Sequence, residues 1–178
     1  QGTNQVLAGI KTVDGLVYGT EVTENAVDIA GYNKVEPTVT TIVIGTESNV
    51  INFYYTKRTD LSYTVHYIDR ETQVPVYPDK VAEDQIFGAE VKEEAIEIDG
   101  YNKVAPFEGI VKITEGANEI TFLYTKRTDI SYVVNYLDIE TNEAILAQKG
   151  VNNGTFGQTV TEEADDVEGY VHEGDTKA

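Results

Sequence analysis

A phenol ring, an amide and an ammonium stand together twice in this 178-residue chain, at Tyr32-Asn33-Lys34 and, 69 positions later, at Tyr101-Asn102-Lys103. Sugars are held by such sets, the ring stacking on the pyranose face while amide and ammonium donate hydrogen bonds. Tyr32, Asn33, Lys34, Tyr101, Asn102 and Lys103 are therefore the candidate ligand-binding residues. A plainer reading competes: the glycine before each tyrosine starts a turn, the tyrosine packs and the asparagine caps the bend. One further step along, Gly169-Tyr170 is followed by Val171 and His172, so the set is not common to every copy.

Other residues with chemical capacity point less far. His66 and His172 are the only histidines, and the positions one step away hold Asn135 and Lys103. A repeated catalytic or metal role would need repetition or a partner, so both are read as surface or strand residues. Asp69 with Glu71, and Asp138 with Glu140, recur at a hairpin turn and could offer oxygens to calcium. Calcium takes about six or more oxygens, which a DxE pair does not supply, so an aspartate stabilising its own turn is preferred. Lys57 and Lys126 raise the possibility of an isopeptide crosslink, but spacing cannot show the geometry and none is predicted. No HExxH, nucleophile elbow or phosphate loop occurs. The chain is expected to be no enzyme, with no metal site and no cofactor.

Composition narrows the class further. The formal charge is −18 and the pI about 4.3, which argues against nucleic acid and against an anionic membrane surface as partners. Tyrosine and aliphatic content is too high for a disordered acidic tail. The chain has no cysteine, methionine or tryptophan. Disulfides and zinc–thiolate sites are thereby excluded, which favours a cytosolic protein or a bacterial surface protein that does without them. No apolar run is long enough to span a bilayer.

The elements that must position these residues follow from the 69-residue step. It relates Tyr55-Thr56-Lys57-Arg58-Thr59-Asp60 to Tyr124-Thr125-Lys126-Arg127-Thr128-Asp129, and Tyr18-Gly19 to Phe87-Gly88 and Phe156-Gly157. Residues 1–60 and 70–129 share 24 identities in 60 without a gap. One folded unit copied in tandem is implied, with boundaries at 1–60, 61–129 and 130–178. Only 61–129 is a complete copy. The first lacks a counterpart of Ser62–Asp69 and the third a counterpart of Ile110–Lys126, pieces expected in a parent protein. A monomer is expected. Within the complete copy, Tyr63–Asp69 alternates as a first strand, and Val76–Val81, with Pro75 and Pro78, suits a second strand at a sheet edge. Ala89–Ala95 (AEVKEEA) is the candidate short helix, Tyr101–Ala105 a third strand and Glu119–Lys126 a last strand with Ile120, Phe122 and Tyr124 on one face. That order predicts an α+β, mostly β fold: tandem small β-grasp-like modules, each a four-stranded sheet with one short helix, in an elongated array. A purely β unit remains open if Ala89–Ala95 is a loop.

The opening Ser62-Tyr63-Thr64-Val65-His66-Tyr67-Ile68-Asp69, the central Gly100-Tyr101 and the closing Ile120-Thr121-Phe122-Leu123-Tyr124 resemble the MucBP (mucin-binding-protein) repeats of Gram-positive surface adhesins. Ser131–Asp138 repeats the opening. The resemblance implies β-grasp-like modules outside a Gram-positive cell, anchored to its wall and adhering to host mucin or another glycoprotein. Two functional readings follow: a non-catalytic adhesin segment binding host glycoprotein, or a structural stalk that holds a distal adhesive domain away from the wall. The −18 charge bears on the first, since sialylated or sulfated mucin would be repelled in bulk.

Overall fold

The computed structural model describes residues 5–171, and among them there is no helix. Twelve strands follow one another: β1 (Glu21–Asn25), β2 (Tyr32–Lys34), β3 (Val39–Val43), β4 (Tyr55–Lys57), β5 (Leu61–Asp69), β6 (Pro75–Gln85), β7 (Glu90–Glu94), β8 (Tyr101–Val104), β9 (Glu108–Lys112), β10 (Glu119–Lys126), β11 (Ile130–Val134) and β12 (Lys149–Gly154). They form one four-stranded sheet in the order β6-β5-β10-β8 and four two-stranded pairs, β1-β3, β2-β4, β7-β9 and β11-β12.

The expected α+β, β-grasp-like module is therefore overturned. Ala89–Ala95, the expected helix, is the strand β7 paired to β9. Its alternation has a period of two, with Glu90, Lys92 and Glu94 exposed and Val91 and Glu93 turned inward. Seven residues are too few to repay helix nucleation, whereas pairing gives the same backbone immediate partners. Gly88 N–H donates to Ile113 O (2.8 Å), Ile113 N–H to Ala89 O (2.8 Å) and Ala95 N–H to Phe107 O (2.8 Å). Lys92 reaches Glu108 at 2.7 Å across the pair. Glutamate, lysine and alanine read as helix formers in isolation, and tertiary context reverses that preference.

The other expected strands appear at β5, β6, β8 and β10, with β6 at the sheet edge. β5 buries every second residue, Leu61, Tyr63, Val65, Tyr67 and Asp69. β10 buries Ile120, Phe122 and Tyr124 in the same way. An inner strand with one face sealed needs this alternation, because a slip of one residue would expose the whole apolar set. On β6, Pro75, Pro78, Lys80, Glu83 and Asp84 guard the free edge against pairing with another chain.

The chain divides into two compact units. The first comprises the chain up to His66 with Asp79–Glu93 and Glu108–Thr121, and the second comprises Tyr67–Pro78, Glu94–Phe107 and the chain from Phe122 on. In the first, Val65 and Ile113 are fully buried, with Leu61, Tyr63, Ala26, Ile44 and Ile120 nearly so. Its buried polar side chain is Asn118. The Asn118 amide donates to Ser62 O (2.9 Å) and Thr114 O (3.0 Å), and its oxygen accepts the Thr114 N–H (2.8 Å). In the second unit the Tyr67 ring lies 6.4 Å from Phe122, 6.3 Å from Tyr124 and 5.7 Å, edge-on, from Tyr77. Tyr124 is wholly buried and donates its hydroxyl to Ile96 O at 3.0 Å. Burial pushes its phenol up to about 12, so it remains a donor at any ordinary pH.

Side-chain locks recur at the sequence step. Lys11–Glu24 (2.6 Å), Lys80–Glu93 (2.6 Å) and Lys149–Glu162 (2.7 Å) are one ion pair in three places. The Tyr63 hydroxyl joins the second of them and the Tyr132 hydroxyl the third. Tyr55 donates to Val27 O (2.8 Å) as Tyr124 does to Ile96 O. Phe122 is 2% exposed, so Phe122→Ala should cost about 3–5 kcal/mol, read as a lower urea midpoint; a loss under 1 kcal/mol would contradict this account of the core.

Candidate functional site

The candidate site is built on a turn that occurs three times. Tyr32 N–H donates to Ile29 O (3.1 Å), Tyr101 N–H to Ile98 O (3.1 Å) and Tyr170 N–H to Val167 O (3.0 Å). The glycine before each tyrosine has φ of +79°, +80° and +86° respectively, a left-handed conformation that a side chain would strain. At the first two a second requirement acts. A Cβ built on Gly100 would lie 2.5 Å from Cδ1, Cδ2 and Cε1 of Phe156, and one on Gly31 would come closer still to the Phe87 ring. Each glycine therefore presents a bare α-carbon to the face of a phenylalanine from the next copy. The neighbouring tyrosine closes on the same ring edge-to-face, Tyr32 to Phe87 at 5.8 Å and Tyr101 to Phe156 at 5.7 Å, both at 64°.

Between glycine and phenylalanine runs the backbone of an arginine. Arg58 N–H donates to Gly31 O and Phe87 N–H to Arg58 O, both at 2.9 Å. Arg127 N–H donates to Gly100 O and Phe156 N–H to Arg127 O, again at 2.9 Å. The linker thus hydrogen-bonds to the copy before it and to the copy after it. Its guanidinium is held as well: Arg58 grips Asp60 through Nε (2.9 Å) and Nη2 (2.8 Å), and Arg127 grips Asp129 through the same two nitrogens (both 2.8 Å). Arg58 also donates from Nη1 to Glu115 at 3.0 Å.

The arginine hydrogen bonds hold the Asp60 and Asp129 carboxyls below the usual range. Glu115 is lowered first by the Gly31 N–H and then by Arg58. Asp69 and Asp138 are lowered by backbone N–H donors, chiefly Thr72 and Thr141. Their Oδ1 atoms accept from Glu71 and Thr72, and from Glu140 and Thr141, at 2.9 Å each. These carboxylates stabilise their own turns.

The sequence-derived site residues part company here. Tyr101 and Asn102 line an open polar depression with Glu97, Asp99, Arg127 and Asp129. Tyr32 and Asn33 line its counterpart with Asp28, Arg58, Asp60 and Glu115. Each depression gathers three carboxylates around one guanidinium. Lys34 and Lys103 are not part of that lining but pair with carboxylates that are, Lys34 with Asp28 at 2.9 Å and Lys103 with Glu97, and Lys103 also reaches Ala95 O. His66 lies on β5 with Nδ1 3.0 Å from Asp79, and His172 lies outside the described residues. Sequence reading missed Phe87, Phe156 and Glu115 as members of the joint. The signal was present: Phe-Gly and Thr-Lys-Arg-Thr-Asp recur without belonging to any core stripe.

Two curated relatives align along nearly the whole chain. Both carry the name Internalin J. One, from Listeria monocytogenes serotype 4b (strain F2365), is 27% identical over 173 residues; the other, from Listeria monocytogenes serovar 1/2a (strain ATCC BAA-679 / EGD-e), is 26% identical over 175. Each alignment covers 94% of this chain but only 19% and 20% of the relatives, so the chain spans about a fifth of their length. No family model matches the chain.

Two outcomes follow from the joint. Gly157 has φ of +73° with nothing near a built Cβ, so Gly157→Ala should cost only backbone strain of about 1–2 kcal/mol. Gly100→Ala should cost about 0.5–1.5 kcal/mol more, because the Phe156 ring must also leave its seat; equal urea midpoints for the two variants would refute the seat. The second outcome concerns pH. The five carboxylates titrate lower in the folded state than their unfolded values of about 4. Their stabilising share is complete above those values and is lost as pH falls through the folded ones. The urea midpoint should hold from pH 7 to about 5 and drop below about 4, and Glu115→Gln should shrink the drop.

Proposed function

We propose that this chain is a non-catalytic repeat segment of a Gram-positive cell-surface adhesin, extracellular and wall-anchored through the parent protein, whose modules act as a clamped spacer. The observation that carries the spacer role is the duplicated joint. A linker whose backbone is hydrogen-bonded on both sides, and whose next phenylalanine sits on the preceding glycine, restricts how neighbouring copies can swing. Similarity to Internalin J supports the surface placement. That the modules are of MucBP type belongs to the same proposal, resting on Ser62–Asp69, Gly100-Tyr101 and Ile120–Tyr124.

A second reading, binding of host mucin or glycoprotein, has its own support. Tyr101 and Asn102 line a polar depression that recurs around Tyr32 and Asn33. Three carboxylates to one arginine would repel sialate and sulfate, so the sugar would have to be neutral. Lys34 and Lys103, already ion-paired in the folded state, contribute least to such a contact.

Binding to immobilised mucin at physiological salt, before and after enzymatic deglycosylation, tests both. The spacer reading expects no binding to either surface. Binding that disappears on deglycosylation and is lost in Asn102→Ala would replace it with the glycan reading.

A further inference from the structure

β5 and β10 are hydrogen-bonded neighbours, and two of the bonds between their ends fix the direction of the pair. Thr64 N–H donates to Asn118 O at 2.9 Å, and Arg70 N–H donates to Tyr124 O at 2.8 Å. The difference in residue number is 54 in both cases (118 − 64 and 124 − 70). An antiparallel pair would hold the sum constant instead, so the two strands run parallel. They are also the first and last strands of the copy 61–129. Three residues separate β4 from β5, and three separate β10 from β11 (58–60 and 127–129). Any pull along the polypeptide therefore enters β5 at Leu61 and leaves β10 at Lys126.

We infer that the β5–β10 pair is a shear clamp that lets this copy bear tension along the polypeptide. Tension draws β5 toward Leu61 and β10 toward Lys126, which are opposite directions on parallel strands. The bonds of a parallel ladder are evenly spaced across that line, so they share the load and yield together. Each end of the ladder is pinned. Asn118 is buried, its side-chain amide donating to Ser62 O (2.9 Å) while its backbone oxygen takes the Thr64 N–H. At the other end Tyr124 accepts from Arg70, and its buried ring is held by its hydroxyl on Ile96 O at 3.0 Å. Sliding offers no relief. The next register that keeps Tyr63, Val65 and Tyr67 on the buried face lies two residues along, roughly 7 Å away. A hydrogen bond does not stretch that far, so the ladder must be lost before it can form again. Residues 70–118 carry no tension while the clamp holds. The spacer reading concerns how neighbouring copies swing; the clamp concerns what one copy withstands, and it rests on strand direction and not on surface placement.

Single-molecule pulling on the full chain tests this through its dependence on direction. The chain has no cysteine, so a pair of introduced cysteines gives unique handles, and Thr59, Ala117 and Thr128 are all exposed. Thr59→Cys with Thr128→Cys loads the clamp in shear. Thr59→Cys with Ala117→Cys pulls on the same end of both strands and peels the ladder one bond at a time. At equal pulling speed the shear pair should yield at a force about twofold or more above the peel pair, because several bonds bear the load together in the first and one bears it in the second. The shear rupture should be a single event that lengthens the tether by about 200 Å, the extended reach of the copy less its folded span. Equal forces in the two directions would overturn the clamp. So would shear lengthening in several smaller steps, since residues 70–118 would then yield before it. Mucin binding of either outcome leaves both forces unchanged.

Discussion

The seating of a phenylalanine ring on a bare, left-handed glycine is the contact on which the joint between copies depends. It requires two properties of one residue, a positive φ and the absence of Cβ, and glycine alone supplies both without strain. Once Gly31 and Gly100 occupy that conformation, their carbonyls are free to accept from Arg58 and Arg127, whose own carbonyls take the N–H of Phe87 and Phe156. The tyrosine that follows each glycine meets the same ring edge-on, where its quadrupole is complementary. One glycine thus coordinates backbone hydrogen bonds, an aromatic pair and the course of the linker.

The ionic groups around the joint are subordinate to this. Arg58 and Arg127 each hold an aspartate two residues on, an exposed pair worth little alone. The bridge between glycine and phenylalanine is made by the arginine backbone N–H and C=O and not by the guanidinium. Glu115 ties the first joint more firmly, since its carboxylate meets both Arg58 and the Gly31 N–H. An acidic chain of −18 has few cations to spend, and most of those described here are bound to a nearby carboxylate. That is why Lys34 and Lys103, so suggestive beside a tyrosine and an asparagine, face Asp28 and Glu97.

Much of the core was legible in the residues. The alternation of Tyr63, Val65 and Tyr67, and of Ile120, Phe122 and Tyr124, marks inner strands because a two-residue period admits only one buried face. Pro75 and Pro78 placed β6 at an edge because proline cannot donate to a ladder. The helix expected over Ala89–Ala95 gives way to strand β7 for a specific reason. Glutamate, lysine and alanine favour helix when no partner is considered, whereas β9 supplies the ladder partner that decides the matter.

By itself the sequence determined the 69-residue step, the strand faces that must be buried, the turn glycines and the acidic balance. These are properties of periodicity and composition, visible wherever a pattern repeats. Tertiary structure alone decided that Phe87 and Phe156 sit on glycines 56 positions before them (87 − 31 and 156 − 100), that an arginine backbone bridges the two, and that Tyr32 and Tyr101 pair edge-to-face with the same rings. Such pairings join residues far apart in sequence through surfaces that have no period of their own, so only the folded chain brings them together.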